Sequence, residues 1–113
     1  MKSHTDLSQS KTLSEFLSHK SADMYYWCGE DLRIGGYKAM DIDYDTPCWS
    51  LAALLDVLPN NQGRYTKSLY WFDDAWFCEY VDEDGAGILG TSADNPIDAC
   101  YEMIIKLHEL KML

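Results

Sequence analysis

Between Arg64 and Ser92 the chain reads RYTKSLYWFDDAWFCEYVDEDGAGILGTS, and this stretch limits the possible folds more than any other. Aromatic and β-branched residues dominate RYTKSLYWF and AWFCEYV, which only Asp73-Asp74 separates; GILGTS comes after Asp82-Glu83-Asp84-Gly85. Runs of this kind, broken by short polar turns, are strand and hairpin signals, so three antiparallel strands are expected here. The turn Asp82 to Gly85 puts a glycine where a positive φ is wanted.

Helix signals flank the strands. Thr46-Pro47 joins a capping hydroxyl to a proline, whose preset φ and missing N–H suit the first helical position. Leu51, Leu54, Leu55 and Leu58 follow at helical spacing, and Pro59-Asn60-Asn61 with Gly63 stops them, which predicts a helix from Pro47 to Leu58. Asp94-Asn95-Pro96 repeats the logic, with Asn95 as cap, Pro96 first in the helix and Asp98 reinforcing the first turn. Ile97, Cys100, Tyr101, Ile104, Leu107 and Leu110 give that last helix a broad apolar face.

The N-terminal half is less patterned. Residues 1 to 11 are polar, which predicts a loose leader. Thr12 and Glu15 fit a capping box, with Leu13, Phe16 and Leu17 on one helical face. MYYWCGEDLRIGGYKAMDI, aromatic and β-branched around Gly29-Glu30-Asp31 and Gly35-Gly36, then suggests a hairpin or two short strands. The expectation is a single α+β domain over residues 12 to 113: a small antiparallel sheet of three or more strands packed against helices, in helix-strand-strand-strand-helix order after a short helix and hairpin. At 113 residues, 47% of them hydrophobic, the chain has room for one core and little more.

Nineteen Asp and Glu against nine Lys and Arg give a net charge of -10. From Ser68 to Ile105 there is no cationic residue, while Asp73, Asp74, Glu79, Asp82, Glu83, Asp84, Asp94, Asp98 and Glu102 all fall inside. Phosphate backbones and anionic membranes are bound through Lys and Arg, so direct nucleic-acid and membrane binding are disfavoured. The acidity serves solubility, or it forms a surface that imitates nucleic acid or meets a basic protein.

The stretch DIDYDTP sets Asp41, Asp43 and Asp45 at every second position. A calcium loop would need glycine at its sixth position and glutamate at its twelfth, where Thr46 and Ala52 stand. A haloacid-dehalogenase-like D-x-D-x-T starting at Asp43 meets Pro47 in place of the threonine. Alternation instead predicts a solvated extended edge with the three carboxylates on one side. Cys28, Cys48, Cys78 and Cys100 lack zinc-site spacing, which leaves reduced and mostly buried thiols. The histidines, His4, His19 and His108, suggest no triad; Cys100 and His108 on one helix would stand about 12 Å apart along its axis. Nothing calls for a cofactor, and the chain has no secretory h-region or transmembrane run, so a cytoplasmic setting is expected.

Both alternate rows of the middle strand are apolar: Trp76, Cys78 and Tyr80 on one, Ala75, Phe77 and Val81 on the other. One helical layer covers one row. The other lies under the N-terminal hairpin, or meets a partner or a second copy.

Three stretches, QSKTLSEFLSHKSADMYY, DTPCWSLAALLDVLP and DNPIDACYEMIIKLHEL, resemble a family of small uncharacterised proteins of phages, prophages and mobile elements of gut bacteria. The resemblance implies a setting, a bacterial host cytoplasm, and no activity. The element order also looks like the double-stranded-RNA-binding domain, but Asp94 and Asp98 occupy positions where that module needs basic residues. The functional expectation is a non-enzymatic interaction protein that meets a basic host protein through Asp73, Asp74, Glu79, Asp82, Glu83, Asp84, Trp76 and Tyr80, and inhibits a nucleic-acid-handling enzyme. The alternative is a small enzyme or divalent-metal protein using Asp41, Asp43 and Asp45 or Asp82, Glu83 and Asp84.

Overall fold

A computed structural model describes residues 1–113 throughout. The fold is α+β, with three helices and two antiparallel sheets, and it divides into two compact units. One unit is Ser3–Asp56; the other is Val57–Leu113 together with Met1–Lys2.

In the first unit, helix α1 (Leu7–Ser14) begins earlier than its sequence pattern suggests. Asp6 is the cap: its Oδ1 accepts from the Gln9 N–H at 2.8 Å, and the Gln9 Oε1 accepts from the Asp6 N–H at 3.1 Å. Asp6 and Gln9 thus form the capping box expected of Thr12 and Glu15. Thr12 lies in the last turn, its hydroxyl donating to the Ser8 carbonyl at 3.1 Å. The expected loose leader is also corrected. Thr5 and Ser10 are fully buried, their hydroxyls 2.7 Å apart, and the Thr5 N–H donates to the Trp49 carbonyl at 2.9 Å. Backbone pairing tethers this polar segment, which its composition did not reveal.

Strands β1 (Met24–Trp27), β2 (Asp31–Ile34) and β3 (Thr46–Cys48) form an antiparallel sheet in the order β2-β1-β3, so the expected hairpin is present. Thr46-Pro47 does not start a helix. Pro47 pairs with Tyr25 on an edge strand, where a missing N–H is tolerated. Helix α2 (Leu51–Val57) starts after it, and the Ser50 hydroxyl accepts from the Ala53 N–H at 3.2 Å. Asp23 holds that cap in turn, taking the Ser50 N–H at 2.9 Å and the Ser50 hydroxyl on its two oxygens.

The second unit carries a four-stranded antiparallel sheet, order β4-β5-β6-β7: β4 (Asn61–Gln62), β5 (Tyr65–Phe72), β6 (Ala75–Val81) and β7 (Gly87–Ala93). Phe72 pairs with Ala75, so Asp73 and Asp74 make a two-residue turn, with φ of 50° and 62°. Such turns suit the right-handed strand twist, which is why the chain accepts two non-glycine residues there. Helix α3 (Pro96–Glu109) packs on β6 and β7. Its start matches the sequence expectation: the Asn95 Oδ1 accepts from the Asp98 N–H at 2.9 Å, with Pro96 in the first turn. Ile97, Cys100, Met103, Ile104 and Leu107 are fully buried, each aliphatic side chain contributing about 1.5–3 kcal/mol. No helix is long and apolar enough to cross a membrane.

Candidate functional site

Strand alternation decides which side chains the second unit shows. Cys78 pairs with Leu69 and Thr91, and the Thr91 hydroxyl donates to the Ala99 carbonyl of α3 at 2.7 Å, so this row faces the helix. Tyr80 belongs to it. It is fully buried, and its hydroxyl donates to the Pro59 carbonyl at 2.7 Å. Burial, followed by the neighbouring Cys78 and Cys100, raises its pKa to about 12. Tyr80 is a core residue and offers a partner no surface, contrary to the expectation drawn from sequence. Trp76 is half-buried beside Trp71, which is 57% exposed.

The opposite row belongs to the outer face: Ala75, Phe77, Glu79 and Val81, matched on β5 by Phe72, Tyr70, Ser68 and Thr66. Phe72 is 65% exposed and Tyr70 is exposed. The Tyr70 ring stacks on Phe77, centroids 5.3 Å apart and planes at 14°, and its hydroxyl donates to the Glu79 Oε1. That carboxylate beside the phenol raises the Tyr70 pKa. A Cβ added to Gly90 would lie 3.3 Å from the Glu79 Cγ, and one added to Gly87 would lie 3.4 Å from its Oε2, so this side chain leans over the two glycines of β7.

The remaining expected residues bracket this face. Asp73 and Asp74 sit at one end of β6 and Asp82, Glu83 and Asp84 at the other, about 25 Å away at ~3.3 Å per residue. The second group lines an open hollow of about 240 Å³ with Arg64, whose guanidinium lies 5.2 Å from the Tyr65 ring centroid. The Asp82 Oδ1 accepts from the Asp84 and Ala86 N–H groups at 3.0 and 2.9 Å, a polar turn bound to itself.

In the first unit the Asp41 and Asp45 carboxylates are also occupied locally. Residues 41 to 45 form a turn and not the extended edge that alternation suggested, with the Asp45 N–H donating to the Asp41 carbonyl at 2.8 Å. The Asp45 oxygens accept from the Cys28 and Asp41 N–H groups at 2.9 and 2.8 Å, and the Asp41 Oδ1 accepts from the Asp43 N–H at 3.0 Å. No three His, Cys, Asp or Glu side chains converge in a way that could hold a metal ion. The four cysteines are free thiols, with Cys28 exposed and the others buried. Between β6 and α3 the neighbouring Cys78 thiol pushes the Cys100 thiol pKa far up, with burial adding to the shift.

Tyr70, Phe72 and Gly90 are the residues that sequence reasoning did not select. The signal lay in Glu79. A carboxylate in the row of Ala75, Phe77 and Val81 marks that row as the outward one, and its neighbours across β5 follow by pairing. Compared with protein families, curated proteins and solved structures, the chain matches none.

Proposed function

We propose that the chain is a non-enzymatic protein of phage or mobile-element origin that binds a basic protein of its bacterial host, and that one such partner is a nucleic-acid-handling enzyme whose basic groove it occupies. One observation carries the reading. The outer sheet face shows exposed aromatic rings around a central carboxylate, acidic turns close both of its ends, and the sequence from Ser68 to Ile105 holds no cation. Aromatic anchors supply contact area, and a negative rim steers a positive partner and rejects phosphate.

The test is co-purification from bacterial lysate at ~50 mM and ~500 mM NaCl, across which the screening length falls severalfold. A basic protein should be held at low salt, released at high salt, and held poorly by the Phe72→Ala/Glu79→Gln double variant. Retention that ignores both salt and the double substitution sinks the proposal.

A further inference from the structure

Strand β7 closes one side of the four-stranded sheet, and no strand pairs with its far edge. Its sequence, GILGTSA, contains no charge and no proline. Natural edges are often blunted by such residues, by bulges or by cover, because an unpaired row of N–H and C=O groups is a template for another strand. Here the protection is slight. There is a register shift where Val81 meets Gly87, and from α3 the Lys106 Nζ donates to the Gly90 carbonyl at 3.2 Å. Gly87, Ile88, Gly90 and Ser92 are exposed.

Charge identifies what fits this edge. Glu79 leans over Gly87 and Gly90 of β7, and neither glycine has a side chain to screen it. A residue pairing with Gly90 from outside would have its backbone about 10 Å, two strand spacings, from that of Glu79. A leaning glutamate and a lysine or arginine span that distance. Asp82, Glu83 and Asp84 precede β7, and Asp94 follows it, so both ends of an added strand also meet negative charge. On the α3 side Leu89, Thr91 and Ala93 offer small or apolar surface, and Lys106 makes that side the cationic one.

We infer that the free edge of β7 receives an extended segment of the partner polypeptide as an added strand, with basic residues at alternate positions facing Glu79 and apolar residues facing Leu89 and Thr91. This is β-augmentation, in which main-chain bonds give affinity and alternate side chains give specificity. A second copy of this chain fits poorly. Antiparallel pairing of β7 with itself about Gly90 would bring the Asp82–Asp84 turn of one copy towards Asp94 of the other, and like charges oppose each other there.

The inference rests on the basic-partner reading, and the experiment separates the two. The probe is a labelled peptide of alternating lysine and valine, followed by fluorescence anisotropy, with hydrogen exchange of the β7 amides recorded alongside. Binding should slow exchange in β7, and Glu79→Gln, which can still accept from Tyr70, should weaken it about tenfold, the worth of one charge-assisted contact. The same peptide N-methylated along one strand edge should bind at least as poorly. Equal binding of the methylated peptide, or unchanged exchange in β7, overturns strand addition and leaves a purely electrostatic basic-partner surface. Self-association through β7 in place of peptide binding overturns it in favour of a second copy, and absence of all binding to basic peptides removes both readings.

Discussion

At the scale of single residues, part-buried polar groups that are already paired are costly to unpair. Asp23 holds both the N–H and the hydroxyl of Ser50, and Ser50 caps α2. Asp23→Ala would release two donors at once, and it should cost about 2–3 kcal/mol, read from the urea midpoint at constant slope. A loss below about 0.5 kcal/mol would mean that water replaces the carboxylate without penalty. Tyr80 makes the pH counterpart. Its pKa rises from an ordinary 10.0 to about 12 in the fold, chiefly through burial, so the folded chain keeps a proton that the unfolded chain gives up. Its contribution is therefore complete below pH 10, falls through the interval up to about 12, and is gone above it. Tyr26, raised to about 12 by burial with its hydroxyl on the Thr5 carbonyl at 2.7 Å, acts in the same window and direction. Tyr80→Phe should flatten the alkaline fall in stability by up to about one proton per molecule, as a denaturation series across that window would measure. An unchanged slope would place the loss elsewhere.

At the scale of elements, the turn between β5 and β6 is the clearest place for improvement. Asp73 and Asp74 both hold positive φ, where a side chain with a Cβ is strained and glycine is not. Asp74→Gly should stabilise the chain by about 0.5–1 kcal/mol, visible as a higher urea midpoint, and a destabilised variant would show that the aspartate makes a compensating bond. Local chemistry of this kind is what the sequence made legible: the three strands, the DD turn and the Asn95-Pro96 helix start all rest on neighbours a few residues apart. The failures came where local rules allow two answers. Asp6 with Gln9 and Thr12 with Glu15 both satisfy the capping-box pattern, and the burial of Thr5 and Ser10 against partners as distant as Trp49 favours the first. Thr46-Pro47 fits a helix start and equally an edge strand, and pairing with Tyr25 far back in the chain decides for the strand. Asp41 to Asp45 alternates like a strand, but aspartate side chains also bond nearby backbone N–H groups, and here those bonds make a turn. For the proposed docking face, composition identifies the acidic and aromatic stretch but not which row faces outward, and Tyr80 belongs to the row beneath α3.

At the scale of the whole molecule, one quantity acts on stability and on binding with opposite signs. Nineteen acidic residues against nine basic ones leave a net charge of -10 on 113 residues, and a compact chain with that imbalance repels itself. Ion pairs such as Lys2 to Asp98 at 2.9 Å offset the repulsion only where a cation is near, and a partly exposed pair of this kind contributes about 1 kcal/mol. Added salt screens like charges over the whole surface, with the screening length falling from about 30 Å at ~0.01 M to about 10 Å at ~0.1 M. The melting temperature should therefore rise as sodium chloride goes from ~10 mM to ~300 mM, most steeply at the low end, where the screening length shrinks fastest. Potassium fluoride at the same ionic strength should act alike, because the effect depends on ionic strength and not on the identity of the salt. Capture of a basic partner should weaken over the same range, since the attraction across the interface is screened as the internal repulsion is. Calorimetry and binding run on one salt series test the pair together. A melting temperature that falls with salt would mean that attractive pairs outweigh the excess charge, and it would take away the electrostatic basis for a basic partner.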